Sequence, residues 1–160
     1  MTYTSPSPTF LKTKTGTDSS IIAGELAKIA ASDAAGLKVA KGTLKAGNAD
    51  TFAFAWENPE ASKIIVTRVL INITTAGGTV SSVLDVGVVA NATSTADTLI
   101  DGLDLNATGI FDNITDKGGN GKSYQVVDEN GGANDYITGK ILAQKADALV
   151  GKYYIFYTVI

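Results

Sequence analysis

Cysteine and histidine are both absent from this chain of 160 residues, proline occurs three times, tryptophan once, and charged residues make up only 18%. The first two absences exclude a disulfide framework, a thiolate nucleophile, an imidazole base and a His-ligated metal, and with them Ser-His-Asp and Cys-His catalysis. The expectation is a protein that is not an enzyme and carries no cofactor. Long hydrophobic runs are missing too. No stretch approaches the roughly 20 apolar residues of a membrane-spanning helix, so no membrane partner is expected. Met1 to Thr9 has neither the positive start nor the apolar middle of a secretory signal, which predicts a protein that stays where it is made. The Asn-x-Ser/Thr tripeptides at Asn72, Asn91, Asn106 and Asn113 then read as by-products of a threonine-rich composition, since glycosylation requires secretion.

Positive charge is in short supply. The formal net charge is −3 and the isoelectric point about 4.8, the wrong sign for neutralising a phosphate backbone, so nucleic acid is not an expected partner. The imbalance is uneven. Residues 1–50 carry six lysines against Asp18, Glu25, Asp33 and Asp50, a balance of +2, whereas residues 51–160 sum to −5. A mildly basic leader precedes an acidic body.

What the chain does have is glycine, 17 residues of it, and 44% hydrophobic residues, enough for one domain. Residues 1–20 read as an extended N-terminal arm, because Pro6 and Pro8 favour extended backbone and apolar residues are sparse. Ordering so many polar residues costs more conformational entropy than burying Tyr3, Phe10 and Leu11 returns, so the arm needs another surface to lie on. Tyr3, Phe10, Leu11, Lys12 and Lys14 are its candidate partner-binding residues. Residues 21–50 read as a connector. Ile21, Ile22, Leu26 and Ile29 have helix-like spacing behind Asp18-Ser19-Ser20 and allow one short helix, while Leu37 to Leu44 allows a strand.

From Thr51 the period is two, and residues 51–160 form the β domain. Phe52, Phe54 and Trp56 are expected on one face of a strand with alanines on the other. The β-branched run Lys63 to Thr75 sets Ile65, Val69, Ile71 and Ile73 against Ile64, Val66, Leu70 and Asn72, and its two apolar faces predict a central strand. Ala76-Gly77-Gly78-Thr79 supplies turn residues, so a hairpin over residues 64–89 is expected. Further strands are read at Thr98 to Ile100, Gly109 to Phe111, Ser123 to Val127, Tyr136 to Ala143 and Lys152 to Val159, separated by Gly- and Asp-rich loops. The last is too apolar for an open edge. This is an all-β chain, an antiparallel β-sandwich or jelly roll of seven or eight strands.

Two constellations invite a chemical reading. Asp97, Asp101, Asp104, Asp112, Asp116, Asp128, Glu129 and Asp135 face only Lys117 and Lys122, a local balance of −6. Such loops offer hard oxygen ligands of the kind Ca²⁺ selects, but none has the spacing of a known calcium loop, and turn geometry explains them equally. Asp112 with Asp116, or Asp101 with Asp104, are formal candidates for a glycosidase pair without a cleft to mark them. The aromatics Phe52, Phe54, Trp56, Tyr124, Tyr136, Tyr153, Tyr154, Phe156 and Tyr157 could build a sugar platform, yet period two favours the core, with Tyr154 facing away from Tyr153 and Tyr157.

Phe54-Ala55-Trp56-Glu57-Asn58-Pro59-Glu60 leading into a β-branched strand, then Leu84-Asp85-Val86-Gly87, Leu99 to Asn106 and Asp135 to Ile141, carry a resemblance over residues 51–160. The chain resembles small bacteriophage virion proteins encoded close to the major capsid gene, head decoration (capsid cement) or minor capsid proteins. The resemblance implies a structural virion protein that stabilises the outer surface of a capsid, is made in the host cytoplasm, and binds the major capsid protein as a homo-oligomer, trimer favoured. The basic-leaning arm would then clamp neighbouring subunits. The alternative is a carbohydrate- or receptor-binding β-sandwich of a head fibre or tail, calcium-dependent if the acidic loops hold the ion.

Overall fold

The computed structural model describes residues 36–78 and 81–160, and the regular structure among them is entirely β. Nine strands follow one another: β1 (Lys38–Thr43), β2 (Phe52–Glu57), β3 (Ile64–Thr75), β4 (Val83–Val89), β5 (Ile100–Asp104), β6 (Gly109–Asp112), β7 (Gln125–Val127), β8 (Tyr136–Leu142) and β9 (Val150–Val159). They build two antiparallel sheets. Sheet 1 has the order β1-β9-β3-β6, with β7 also on β3, and sheet 2 the order β2-β8-β4-β5. With β7 set aside, the pairings nest: β1 with β9, β2 with β8, β3 with β6, β4 with β5. A long two-stranded ribbon is thus wound over itself, the jelly-roll form of a β-sandwich.

The core lies between the sheets. Ile64, Val66, Val69, Ile71, Ile73 and Ile155 face it from sheet 1, and Phe54, Leu84, Val86, Ile137 and Ile141 from sheet 2, all buried. Phe54 stacks on Tyr153 at a ring separation of 4.2 Å and an interplanar angle of 17°. Two glycines make room for this pair: a Cβ on Gly139 would stand 2.2 Å from the Phe54 ring, and one on Gly42 2.5 Å from the Tyr153 ring. Each ring therefore lies over bare backbone of the neighbouring strand. Two fully buried asparagines hold loops in place, Asn113 against a strand and Asn58 between two loops. Asn113 accepts the Val69 amide at 2.7 Å and donates to the Lys122 and Ser123 carbonyls, both at 3.0 Å. Asn58 accepts the Glu60 amide and donates to the Ser62 and Asp128 carbonyls.

Four local expectations need correction. The hairpin over residues 64–89 does not form: β3 and β4 lie in different sheets. In a wound ribbon β3 pairs with β6 and β4 with β5, so the link between β3 and β4 crosses from sheet to sheet. Around it, the Gly77 amide donates to the Leu105 carbonyl and the Gly77 carbonyl accepts from Ala148. Second, Phe52 does not share a face with Phe54 and Trp56. The register shifts between Phe52 and Phe54, so Phe52 stands opposite Lys140 while Phe54 stands opposite Gly139, and Ala53 turns inward beside Phe54. Third, β3 is irregular between Val66 and Arg68, which switches the inward set from Ile64 and Val66 to Val69, Ile71 and Ile73. One extra residue at a bulge inverts the alternation, and together with the outward Ile65 and Leu70 this made both faces look apolar in the sequence. Fourth, the Asp101–Asp104 segment read as loop is strand, because Ile100 and Leu103 reach the core at 0% and 5% exposure.

The β3 and β9 expectations hold: each has a neighbour on both sides in sheet 1. The strand allowed at Leu37 to Leu44 also forms, as β1 on β9. The arm and the short helix lie outside the described residues.

Candidate interaction surface

The outer faces of the two sheets differ in what covers them. On sheet 2 the chain between β4 and β5 folds back over its own sheet. Gly87 sits so close beneath it that a Cβ there would come within 2.5 Å of the Ala96 carbonyl oxygen. Thr138, directly opposite Gly87 across the β4–β8 ladder, is 1% exposed and donates its hydroxyl hydrogen to the Ser94 carbonyl at 2.8 Å. The Val88 amide is held by Thr98 Oγ1 at 3.1 Å. Beside this cover, Lys140 pairs with Asp50 at 2.9 Å and lies 5.9 Å from the Phe52 ring centroid.

On sheet 1 the outward residues are larger and less covered. Direct cross-strand partners share a face, which arranges them in rows. Val39 of β1 stands beside Phe156 of β9, and Lys41 beside Tyr154, which is itself opposite Leu70 of β3. Thr43 stands beside Lys152, and Lys152 is opposite Asn72. Ile65 of β3 stands between Thr158 and Val126 of β7. Val39 and Val126 are exposed, and Phe156, Tyr154, Leu70 and Ile65 are half-buried. The row ends at β6, where Asp112 faces Leu70 and Ile110, 66% exposed, faces Asn72. Arg68, exposed and opposite Phe156, completes the face, so its apolar and aromatic side chains are interleaved with Lys41, Lys152 and Arg68, the mixture of residue types found at contact sites.

Its edge carries a groove of about 280 Å³ lined by Lys41, Gly42, Thr43, Lys152 and Tyr154. Tyr154 forms its apolar wall, and the two lysines flank it diagonally. No described carboxylate lies within ion-pair distance of Lys41 or Lys152. Lys38, on the inner side of the same strand, is engaged with Glu60 at 2.9 Å, and Tyr157 donates to the same Glu60 oxygen at 3.1 Å. Its hydrogen bond to Lys38 holds the Glu60 carboxyl below its ordinary pKa. Burial, with the Glu60 carboxylate beside it, pushes the Tyr157 hydroxyl up to about 12. A larger groove of about 460 Å³ lies along Lys117, Lys122, Tyr124 and Val126, again basic with an exposed tyrosine.

Tyr3, Phe10, Leu11, Lys12 and Lys14 lie outside the described residues. The acidic residues do not converge: among the described residues no group of three or more potential ligands is placed to hold a metal ion. Each member of the formal pairs is engaged by a backbone amide, of its own turn for Asp104, Asp112 and Asp116 and of the Asn120 loop for Asp101. Asp112 accepts the Ile114 and Thr115 amides, both at 2.8 Å, and is clamped by the Arg68 guanidinium, while Asp116 accepts the Asp112 amide at 2.9 Å. Burial opposes the Asp112 charge, but the Thr115 amide, Arg68 and the Ile114 amide outweigh it and hold its pKa at about 2. Asp101 accepts the Asn120 amide and Asp104 the Asn106 amide. Of the aromatics, Phe54, Tyr153 and Tyr157 are core, whereas Tyr124 is exposed and Tyr154 half-exposed on the outer face.

Sequence reasoning missed Val39, Lys41, Leu70, Val126 and Lys152 as members of one surface. The available signal was the double apolar face of β3 and β9, where Leu70 and Phe156 back onto core positions. No family model matches this chain, and no curated protein matches it in sequence.

Proposed function

We propose that the protein is a structural virion component that decorates and stabilises the outer surface of a bacteriophage capsid, bound to the major capsid protein. The observation that carries this reading is the outer face of sheet 1, over which no described segment packs, and where Val39, Phe156, Tyr154, Leu70 and Ile65 stand among Lys41, Lys152 and Arg68. It works together with the resemblance over residues 51–160. A jelly roll by itself decides nothing, since capsid, lectin and enzyme domains share it. What favours adhesion over catalysis is that the acidic residues nearest to a catalytic pattern are engaged in their own turns, as at Asp112 and Asp116. In this reading the protein is non-enzymatic, acts on the virion as a homo-oligomer with a trimer favoured, and uses residues 1–20 to clamp neighbouring subunits.

The test is co-sedimentation of the full chain, and of a chain lacking residues 1–20, with purified capsid shells, each with and without a calcium chelator. Binding by the full chain that persists in chelator supports the reading, and weaker binding by the shortened chain supports the clamp. Failure of both chains to sediment with shells refutes it. Binding abolished by the chelator would favour a calcium-dependent glycan or receptor module instead.

A further inference from the structure

Among the described residues β1 is the outermost strand of sheet 1, and its ladder shows which of its backbone groups look outward. The Leu44 amide donates inward to the Gly151 carbonyl at 2.9 Å, whereas the next amide, Lys45, turns the other way to the Ala53 carbonyl at 2.8 Å. Antiparallel pairing alternates, so the amides and carbonyls of Val39, Lys41 and Thr43 point away from β9. None of these amides donates to backbone elsewhere among the described residues. The same three residues carry their side chains on the outer face, beside Phe156, Tyr154 and Lys152.

We infer that this open edge accepts an extended acidic segment of the partner protein by strand addition, with its carboxylates meeting Lys41 and Lys152 and its apolar residues meeting Val39 and Phe156. The inference rests on the capsid-binding reading for the identity of the partner, and on charge and edge geometry for its chemistry. Main-chain hydrogen bonds supply the affinity in such an arrangement and alternate side chains supply the selectivity. Charge decides among occupants. An edge lysine ordinarily blunts unwanted pairing. A second β1 strand laid antiparallel on this one would set the two Lys41 ammonium groups directly or diagonally opposite each other, which is destabilising. An acidic strand reverses that term. Its carboxylates fall beside Lys41 and within the groove that Tyr154 and Lys152 complete.

The experiment uses the full chain and three synthetic ten-residue probes: alternating valine and aspartate, alternating valine and lysine, and the valine–aspartate peptide N-methylated at every second residue. Amide hydrogen exchange read by NMR is expected to show new protection at Val39, Lys41 and Thr43 with the first probe only. The double substitution K41E/K152E should weaken that binding at least about tenfold. Both side chains are exposed, so the variant should keep its fold, and exchange at Ile64 and Ile155 checks it. Equal binding of the acidic and basic probes overturns the inference. So does binding of the N-methylated probe, or protection of the three amides before any peptide is added, as an edge already filled in a monomer or by a second copy would show. Shell binding separates the two readings. If shells bind K41E/K152E as well as the original chain, this edge is not the contact and the decoration reading stands. If the acidic probe protects the edge while shells are not bound, the edge stands and the decoration reading fails.

Discussion

The two outer faces start from similar sequence alternation and end differently. Sheet 2 presents Gly87, Thr138 and Ala55 in one row, small side chains opposite one another across β4, β8 and β2. Over Gly87 and Thr138 lies the chain from the end of β4 to the start of β5, whereas Ala55 at the end of the row is exposed. Sheet 1 presents Val39, Phe156, Tyr154, Leu70 and Ile65, and no described segment packs over them. Side-chain size follows the cover locally: small at Gly87 and Thr138, beneath the chain around Ser94 and Ala96, and large at Phe52 and Lys140 beside it and at Phe156 and Tyr154 on sheet 1. Keeping large apolar groups in water lowers solubility without adding to the core, so the open face makes physical sense as a surface built for contact.

The strongest way to break this comparison is to put volume on both faces. Gly87→Val should displace the chain around Ala96 and cost about 2 to 4 kcal/mol of unfolding free energy, since the new Cβ would meet the Ala96 carbonyl and Cβ, which can give way only by moving backbone. Removing volume from sheet 1 should do less: Phe156→Ser is expected to cost about 1 to 2 kcal/mol, because the half-buried ring at the surface leaves no closed cavity. Urea denaturation of the two variants measures the difference. Equal costs would mean that sheet 1 is as closed as sheet 2.

Asp112 sharpens the comparison, because it is the buried charge at the border of the open face. Asp112→Asn should cost about 1 to 3 kcal/mol at neutral pH, since Arg68 and the Thr115 and Ile114 amides lose a charged acceptor. The pH dependence has a definite sign. The carboxyl titrates near 3.8 unfolded and near 2 folded, so its contribution is complete above pH 3.8 and disappears as pH falls through about 2. The difference between the original protein and the variant should therefore shrink on acidification. A gap that stayed constant down to pH 2 would rule out the charge as its source.

A smaller effect is expected at the roof of sheet 2. Thr138→Val keeps the shape but removes the hydroxyl donor to Ser94, for about 1 kcal/mol. Limited proteolysis gives the more direct readout: cleavage should accelerate between residues 90 and 98 and nowhere on sheet 1. Unchanged cleavage there would show that Gly87 packing alone holds the roof.

How much of this was legible beforehand depends on where periodicity survives. The β9 alternation, Tyr153, Ile155 and Tyr157 against Tyr154 and Phe156, is uninterrupted, and its faces were read correctly. In β2 and β3 a register irregularity inverts the pattern partway, and no propensity marks a bulge at Ala53 or near Thr67. The hairpin over residues 64–89 failed for another reason. Gly77 and Gly78 signal that the chain turns, but not whether it turns within a sheet or crosses to the other one. This surface was hidden because it is assembled from β1, β9, β3 and β7, and only pairing register brings Val39 beside Phe156, far away in sequence.

The subtlest expected effect lies under the open edge, where Lys38, Glu60 and Tyr157 meet. Tyr157→Phe removes one hydrogen bond to Glu60 while leaving the ring against Trp56 at 5.4 Å, so the cost near neutrality should be only about 0.5 to 1.5 kcal/mol. The alkaline behaviour is more telling. With a hydroxyl pKa of about 12 folded and 10.0 unfolded, the folded state keeps a proton that the unfolded state gives up. The contribution of this group is thus complete below pH 10 and is lost as pH rises toward 12. Phenylalanine has no proton to lose, so the variant should lose stability less steeply across that window and converge on the original protein. Parallel denaturation curves at pH 8 and above pH 10 test this, with a constant difference as the outcome that rejects it. Tyr153, whose hydroxyl burial also raises, supplies an alkaline loss common to both proteins and cancels in the comparison. What remains isolates the polar inner contact of β1, the strand proposed to receive a partner, from the apolar ones made by Ala40 and Gly42.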